Sequence, residues 1–85
     1  MKGPQLIFSI QDSKAEAYMR PFFANARGIA IREFTNLVND KNHPVGQHPM
    51  DYTLFQIGTW DEDDGVLRGD VPQAIANGLD VEIKE

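Results

Sequence analysis

His43 and His48, with Asp40 and Asp51 just outside them, are the side chains in this sequence best equipped for chemistry. As nitrogen and oxygen donors they make a sensible zinc-ligand set. On a helix their spacing would place both imidazoles on one face. Pro44 and Pro49 follow them directly and are expected to forbid a helix, so nothing in the spacing aims them at a common metal. The imidazoles are expected instead to cap or anchor their loop through backbone hydrogen bonds. As catalytic bases they would need a nucleophile and an orienting partner. No Ser-His-Asp arrangement, glycine-rich phosphate loop or paired-carboxylate motif can be picked out, so no catalytic residue, metal or cofactor is assigned and the chain reads as a non-enzyme.

Two further groups invite a ligand. The run Asp61-Glu62-Asp63-Asp64-Gly65 has the composition of a calcium loop. With Gly65 at the sixth position of an EF-hand, Trp60 would be the first ligand and Val71 would stand where a bidentate glutamate is required. The register fails, and a solvated hairpin tip accounts better for the acids. Lys14, Arg20, Arg27 and Arg32, with Phe22 close by, could form a basic patch interleaved with rings, as single-strand binders follow phosphates with charge and stack bases on aromatics. These four are the candidate nucleic-acid-binding residues. Against them stand the overall acidity and the tendency of Phe22, Phe23 and Phe34 to be core.

The elements that must position these groups follow from periodicity. Leu6, Phe8 and Ile10 alternate with Ile7, Ser9 and Gln11, which predicts a strand; Ile7 in the second set suggests cover on both faces and a central place. Ser13 with Glu16 matches a capping box and predicts a short helical turn. Tyr18 to Ala24 is read as a second strand or edge segment, because Pro21 pushes Arg20 extended. Ala30, Ile31, Phe34, Leu37 and Val38 share one face and predict an amphipathic helix packed on the sheet, with Asn25 as its cap. Gly28 in its first turn suggests a close backbone contact.

Residues 40–51 are expected to be a stiff, extended loop of one fixed shape. Tyr52 to Trp60 predicts a strand, Asp61 to Gly65 a hairpin turn, and Val66 to Arg68 the return. Asp70, Pro72 and Asn77-Gly78 predict a short helix within 69–78, and Leu79 to Ile83 a last strand. The fold class is therefore α+β: a small, mostly antiparallel sheet of four to five strands, one amphipathic helix packed on it and one short C-terminal helix, in a single domain over residues 1–85.

Composition narrows the setting. The chain has 85 residues and no cysteine, which removes disulfides and thiolate metal sites. A core this small often supplies only a few kcal/mol, so a second copy covering an apolar patch, a homodimer, is expected. No apolar run approaches the roughly 18 residues of a membrane span, and no signal-peptide cleavage region follows the first apolar run. A soluble, unprocessed protein is expected. The net charge is −5 and unevenly placed: residues 1–48 hold six Lys/Arg against four acids, and residues 49–85 hold two against nine. Such a chain could hold an anionic partner on one side or pair with itself, though an ordinary solvated surface explains the same numbers.

Several stretches together carry a resemblance. Asp12 to Glu16, Pro21-Phe22-Phe23, Ala30 to Phe34 and above all His48-Pro49-Met50-Asp51-Tyr52-Thr53-Leu54-Phe55-Gln56-Ile57-Gly58-Thr59-Trp60-Asp61 resemble the small non-structural protein of gokushoviruses, microviruses with single-stranded DNA genomes. The resemblance runs from about residue 6 to residue 68 and is weak beyond Arg68. It implies a phage accessory protein made in the cytoplasm of the infected bacterium, similar in role to the microvirus protein that turns replication towards single-stranded genome synthesis and packaging, and binding DNA. It brings no catalytic residues. Two expectations follow: a single-stranded DNA binder working through the N-terminal arginines, or a dimeric adaptor that contacts procapsid or replication-initiator protein without touching DNA.

Overall fold

Alternating side chains make the first strand, and the sheet is laid out around it. A computed structural model describes residues 4–83. Strand β1 (Gln5–Asp12) is central, as its two apolar sets suggest. One of its edges takes two short pieces in succession, β2 (Ala17–Tyr18) and β3 (Phe22–Ala24). They are the expected edge segment, interrupted at Arg20-Pro21, where proline has no N–H to offer a ladder. The other edge takes β4 (Tyr52–Asp61), and β5 (Val66–Asn77) pairs outside it, so the order is β2-β1-β4-β5 with β3 also on β1. Every pairing is antiparallel. The α+β class, the small antiparallel sheet, the main helix and a short C-terminal helix are all present.

Helix α1 (Arg27–Val38) crosses one face of this sheet between β3 and β4. Its Ala30, Phe34 and Val38 are buried against Phe8, Ile10 and Leu54 of the sheet, with Ala24 and Val45 closing the cluster. Ile31 and Leu37 pack around it, so the predicted apolar face is the observed one. Each fully buried Phe, Leu or Val here contributes about 1.5–3 kcal/mol through area removed from water. At the helix end Lys41 donates to the carbonyls of Val38 (3.2 Å) and Gly46 (3.0 Å) and pairs with Glu82 at 2.9 Å. A cation at a helix C-terminus satisfies carbonyls that have no partner of their own.

Five local expectations are corrected. The Ser13/Glu16 capping box is not used: Asp12 Oδ1 accepts from the N–H groups of Lys14 (2.9 Å) and Ala15 (3.2 Å), and residues 13–16 turn the β1–β2 hairpin with Glu16 at φ 57. An Asp at the end of a strand can build such a turn from its own side chain. Helix α1 is capped by Ala26, with no side-chain bond, rather than by Asn25. Gly28 makes no close contact with another element: beyond its chain neighbours and the backbone of its own helix, a methyl group there would meet no atom within 4 Å.

The 40–51 loop is not extended throughout. Helix α2 (Pro44–Gln47) and a 3₁₀ turn (Pro49–Asp51) each begin on a proline. At the first helical position a missing N–H costs nothing, so the two prolines start helices instead of forbidding them. The tight path depends on Gly46, whose hydrogen lies against the Asp40 carbonyl, where a methyl group would collide.

The C-terminal reading is the largest correction. No helix forms over 69–78; β5 runs through to Asn77, and α3 (Gly78–Val81) lies where a last strand was expected at 79–83. Asp70, Val71 and Pro72 bulge between the pairs Gly58↔Gly69 and Gln56↔Gln73, so Pro72 sits where no ladder bond is asked of it. Asn77 begins α3 rather than ending a helix. Its Oδ1 accepts from Leu79 N–H at 2.9 Å, Asp80 accepts from Asn77 N–H at 2.8 Å, and Asn77 Nδ2 ties the cap to Thr53 Oγ1 at 3.0 Å.

Candidate functional site

With Leu6, Phe8 and Ile10 turned towards α1, the odd-numbered residues of β1 face the other way. No described helix covers that side. Yet Ile7 is only 8% exposed and Ser9 1% exposed. Their cover comes from flanking strands. Phe23 of β3 is paired with Ile7 and makes an edge-to-face contact with Trp60 of β4, ring centroids 5.8 Å apart. Tyr18 of β2 is paired with Gln11 and meets Phe55 of β4 in the same manner at 5.4 Å, Phe55 being the direct partner of Ser9. Two aromatic pairs thus bridge β1 from opposite sides, in a geometry that ring quadrupoles favour.

Beneath the rings the polar group is satisfied: Ser9 Oγ donates to the Met19 carbonyl at 2.6 Å, which also holds the edge segment against β1. The outer sides of the rings are open, Phe23 being 48% and Tyr18 45% exposed. The remaining paired positions of this face are Gln5, Gln11, Thr53, Leu67 and Asn77, with small residues at Gly58, Gly69 and Ala74. None of its paired positions holds Asp, Glu, Lys or Arg. In a chain with 21 such residues among 85, counted as 8 Lys/Arg and 13 Asp/Glu, this is an uncharged, ring-studded surface about one strand-length long.

The predicted basic residues are not among these paired positions. Lys14 is in the β1–β2 turn. Arg27 reaches from the start of α1 to β4 and β5, donating to Gln56 Oε1 at 2.8 Å and Gln73 Oε1 at 3.0 Å. Arg20 lines an open groove of about 500 Å³ between the edge segment and α1, with Met19, Phe22, Phe23, Glu33, Asn36 and Leu37. Arg32 is exposed on α1, two residues from buried Ala30 and Phe34 and so on the helix side turned from the sheet. None of the four is a paired position of the aromatic face; Arg20, Arg27 and Arg32 lie on or beside α1, and Lys14 lies in the β1–β2 turn.

His43 does anchor its loop: its Nδ1 accepts from Val45 N–H at 3.2 Å and caps α2. His48 is exposed. Among the described residues no three His, Asp or Glu side chains converge as a metal-ligand cluster. At the hairpin tip, Asp64 accepts from Arg68 at 2.8 Å and from Val66 N–H at 2.9 Å, which holds its carboxyl below the ordinary range. Burial, with the Asp12 carboxylate beside it, raises the Tyr52 phenol above its ordinary value of 10.0. Both are structural settings.

Residues 5–81, from the first residue of β1 to the last of α3, match the family model described as Phage ORF5 protein. The chain belongs to that family. The Phage ORF5 pattern therefore continues past Arg68, through β5 and α3, where the sequence resemblance was weak, and it takes in both aromatic pairs and all four basic residues. No curated protein and no solved structure matches the chain. Membership makes this a phage protein, and no helix among the described residues is long and apolar enough to cross a membrane. The aromatic face was missed because its members are scattered over positions 5–77; only the strand register makes them neighbours. Alternation on β1 and β4 was the one signal that could have suggested it.

Proposed function

We propose that this phage protein is a non-catalytic accessory factor of the gokushovirus type, made in the bacterial host cytoplasm, that works by protein contact in genome synthesis or packaging. Its partner class is the procapsid or replication-initiator protein, and DNA is not bound directly. The observation that supports this reading is the uncharged aromatic face. Protein interfaces are depleted of charge at their centres and enriched in Tyr, Trp, Phe and Met, which is the composition of this surface. Affinity for nucleic acid comes largely from phosphate neutralisation, and the paired positions of this face hold no cation, on a chain of net charge −5.

A second reading has one specific observation in its favour. Rings on the open face of an antiparallel sheet are how several single-strand binders stack bases, and Tyr18 and Phe23 are exposed enough to do so. The two readings separate on salt. Fluorescence anisotropy of a labelled single strand, titrated with protein at low and high salt, is expected to show no binding at either. Purified initiator or procapsid protein of the same phage is expected to bind the chain with little salt dependence, and Phe23→Lys to abolish that binding. Single-strand binding that falls steeply with salt and is lost in Phe23→Ala would overturn the protein-contact reading in favour of DNA.

A further inference from the structure

The helix-free face has a natural occupant. We propose that a second copy of this chain covers it, sheet against sheet, so that the protein is a face-to-face dimer with the α1 helices outermost. The inference rests on the reading of this face as a protein-contact surface and names its first partner.

Size is one support. Four strand positions at about 4.8 Å and the ten residues of β4 at about 3.3 Å give a sheet face roughly 19 Å by 33 Å, or roughly 600 Å² in projection. The accessible area of a surface ridged by rings exceeds its projection, which brings it near the roughly 800 Å² per partner of a standard stable interface. The shape agrees. The molecule measures 44 × 27 × 19 Å, and its shortest dimension suits one sheet plus one helix layer. Sheets pack face to face about 10 Å apart, the side chains of the two inner faces interdigitating.

Charge is the second support, and it selects this partner over others. Two chains of net charge −5 repel wherever their acids meet. On this face the paired positions carry no acid and no base, so like-charged copies meet here without an unpaired charge being buried. A two-fold contact applies one patch to itself, and a neutral patch is compatible with itself. With the two-fold across the strands, the acidic tips, Asp61 to Asp64, point to opposite ends. A strongly basic or acidic partner would find nothing on this face to pair with. Initiator or procapsid protein, which meets the same face, therefore competes with the second copy for it.

Trp60 makes the test direct, because it is the single tryptophan of the chain and sits on this face. Sedimentation equilibrium across the micromolar range is expected to show a reversible dimer, and dilution to shift Trp60 emission to the red and open it to acrylamide. Phe23→Lys and, as a second variant in case that one misfolds, Tyr18→Lys are expected to keep the wild-type circular dichroism and to lose the dimer. Met50→Lys, at an exposed apolar residue off the sheet, is expected to leave it intact. A wild-type chain that stays monomeric, or a dimer that survives both face variants, overturns the second-copy assignment while leaving binding to initiator or procapsid protein to be judged by its own assay. Salt-sensitive single-strand binding overturns the protein-contact reading itself.

Discussion

The two faces of β1 are both dry, but by different means. Towards α1, Phe8 and Ile10 are sealed by Phe34, Ala30 and Val38, a whole helix laid across the sheet. On the other side Ile7 and Ser9 are sealed by the rings of Phe23, Trp60, Tyr18 and Phe55, which remain partly open themselves. A helix layer is finished: its outer side is polar and asks for no further cover. A ring layer is half finished, since each ring that hides a neighbour shows apolar surface of its own. The first face is a place for stability and the second a place for association.

That contrast can be broken by mutation. Phe34→Ala should cost about 3–5 kcal/mol, as for a large buried aromatic, which is as much as a core of this size often supplies in all. The variant is expected to be unfolded or nearly so by circular dichroism and urea titration. Phe23→Ala should cost far less in the monomer, about 0.5–1.5 kcal/mol for the lost ring pair. Equal losses at the two sites would mean that the ring face is as much a core as the helix face.

Ser9→Ala removes a buried hydroxyl and leaves the Met19 carbonyl without its donor, at a cost of about 1 kcal/mol. Its mark should be local: amide exchange at Met19, whose N–H donates to the Ile10 carbonyl, is expected to quicken before the rest of β1 opens. On the helix side, Gly28→Ala should stabilise the fold by up to about 1 kcal/mol, because the added methyl meets no other element and helix propensity improves. A loss of stability there would show that the start of α1 makes a contact after all.

The smallest effect is at the hairpin tip. The folded pKa of Asp64 lies below its unfolded value, so its contribution is present above the ordinary 3.8 and is lost as pH falls through the lower, folded value. The pair is exposed and screened by salt, so global stability should barely move. An NMR titration should show the Val66 amide losing its bond to Asp64 in that acid range while core amides stay fixed. Tyr52 has the opposite sign. Its folded pKa is raised, so its contribution is complete below pH 10.0 and disappears as pH climbs through the folded value.

What the sequence determined by itself was whatever repeats with the period of its element. Strand β1, helix α1, strand β4 and the Asp61–Gly65 turn were all legible, because alternation and the i, i+4, i+7 spacing are imposed by backbone geometry and survive any tertiary context. What only the tertiary structure decided was the use of residues whose local chemistry serves two ends. Pro72 fits a helix start or a bulge, Asn77-Gly78 a helix stop or a cap, and Pro44 an extended loop or a first turn. In each case pairing with β4, or packing against α1, made the choice. The candidate site belongs wholly to this second class. Tyr18 and Phe23 are far in the chain from Phe55 and Trp60, the rings they meet, and a slip of one residue in any strand would turn its rings to the opposite face.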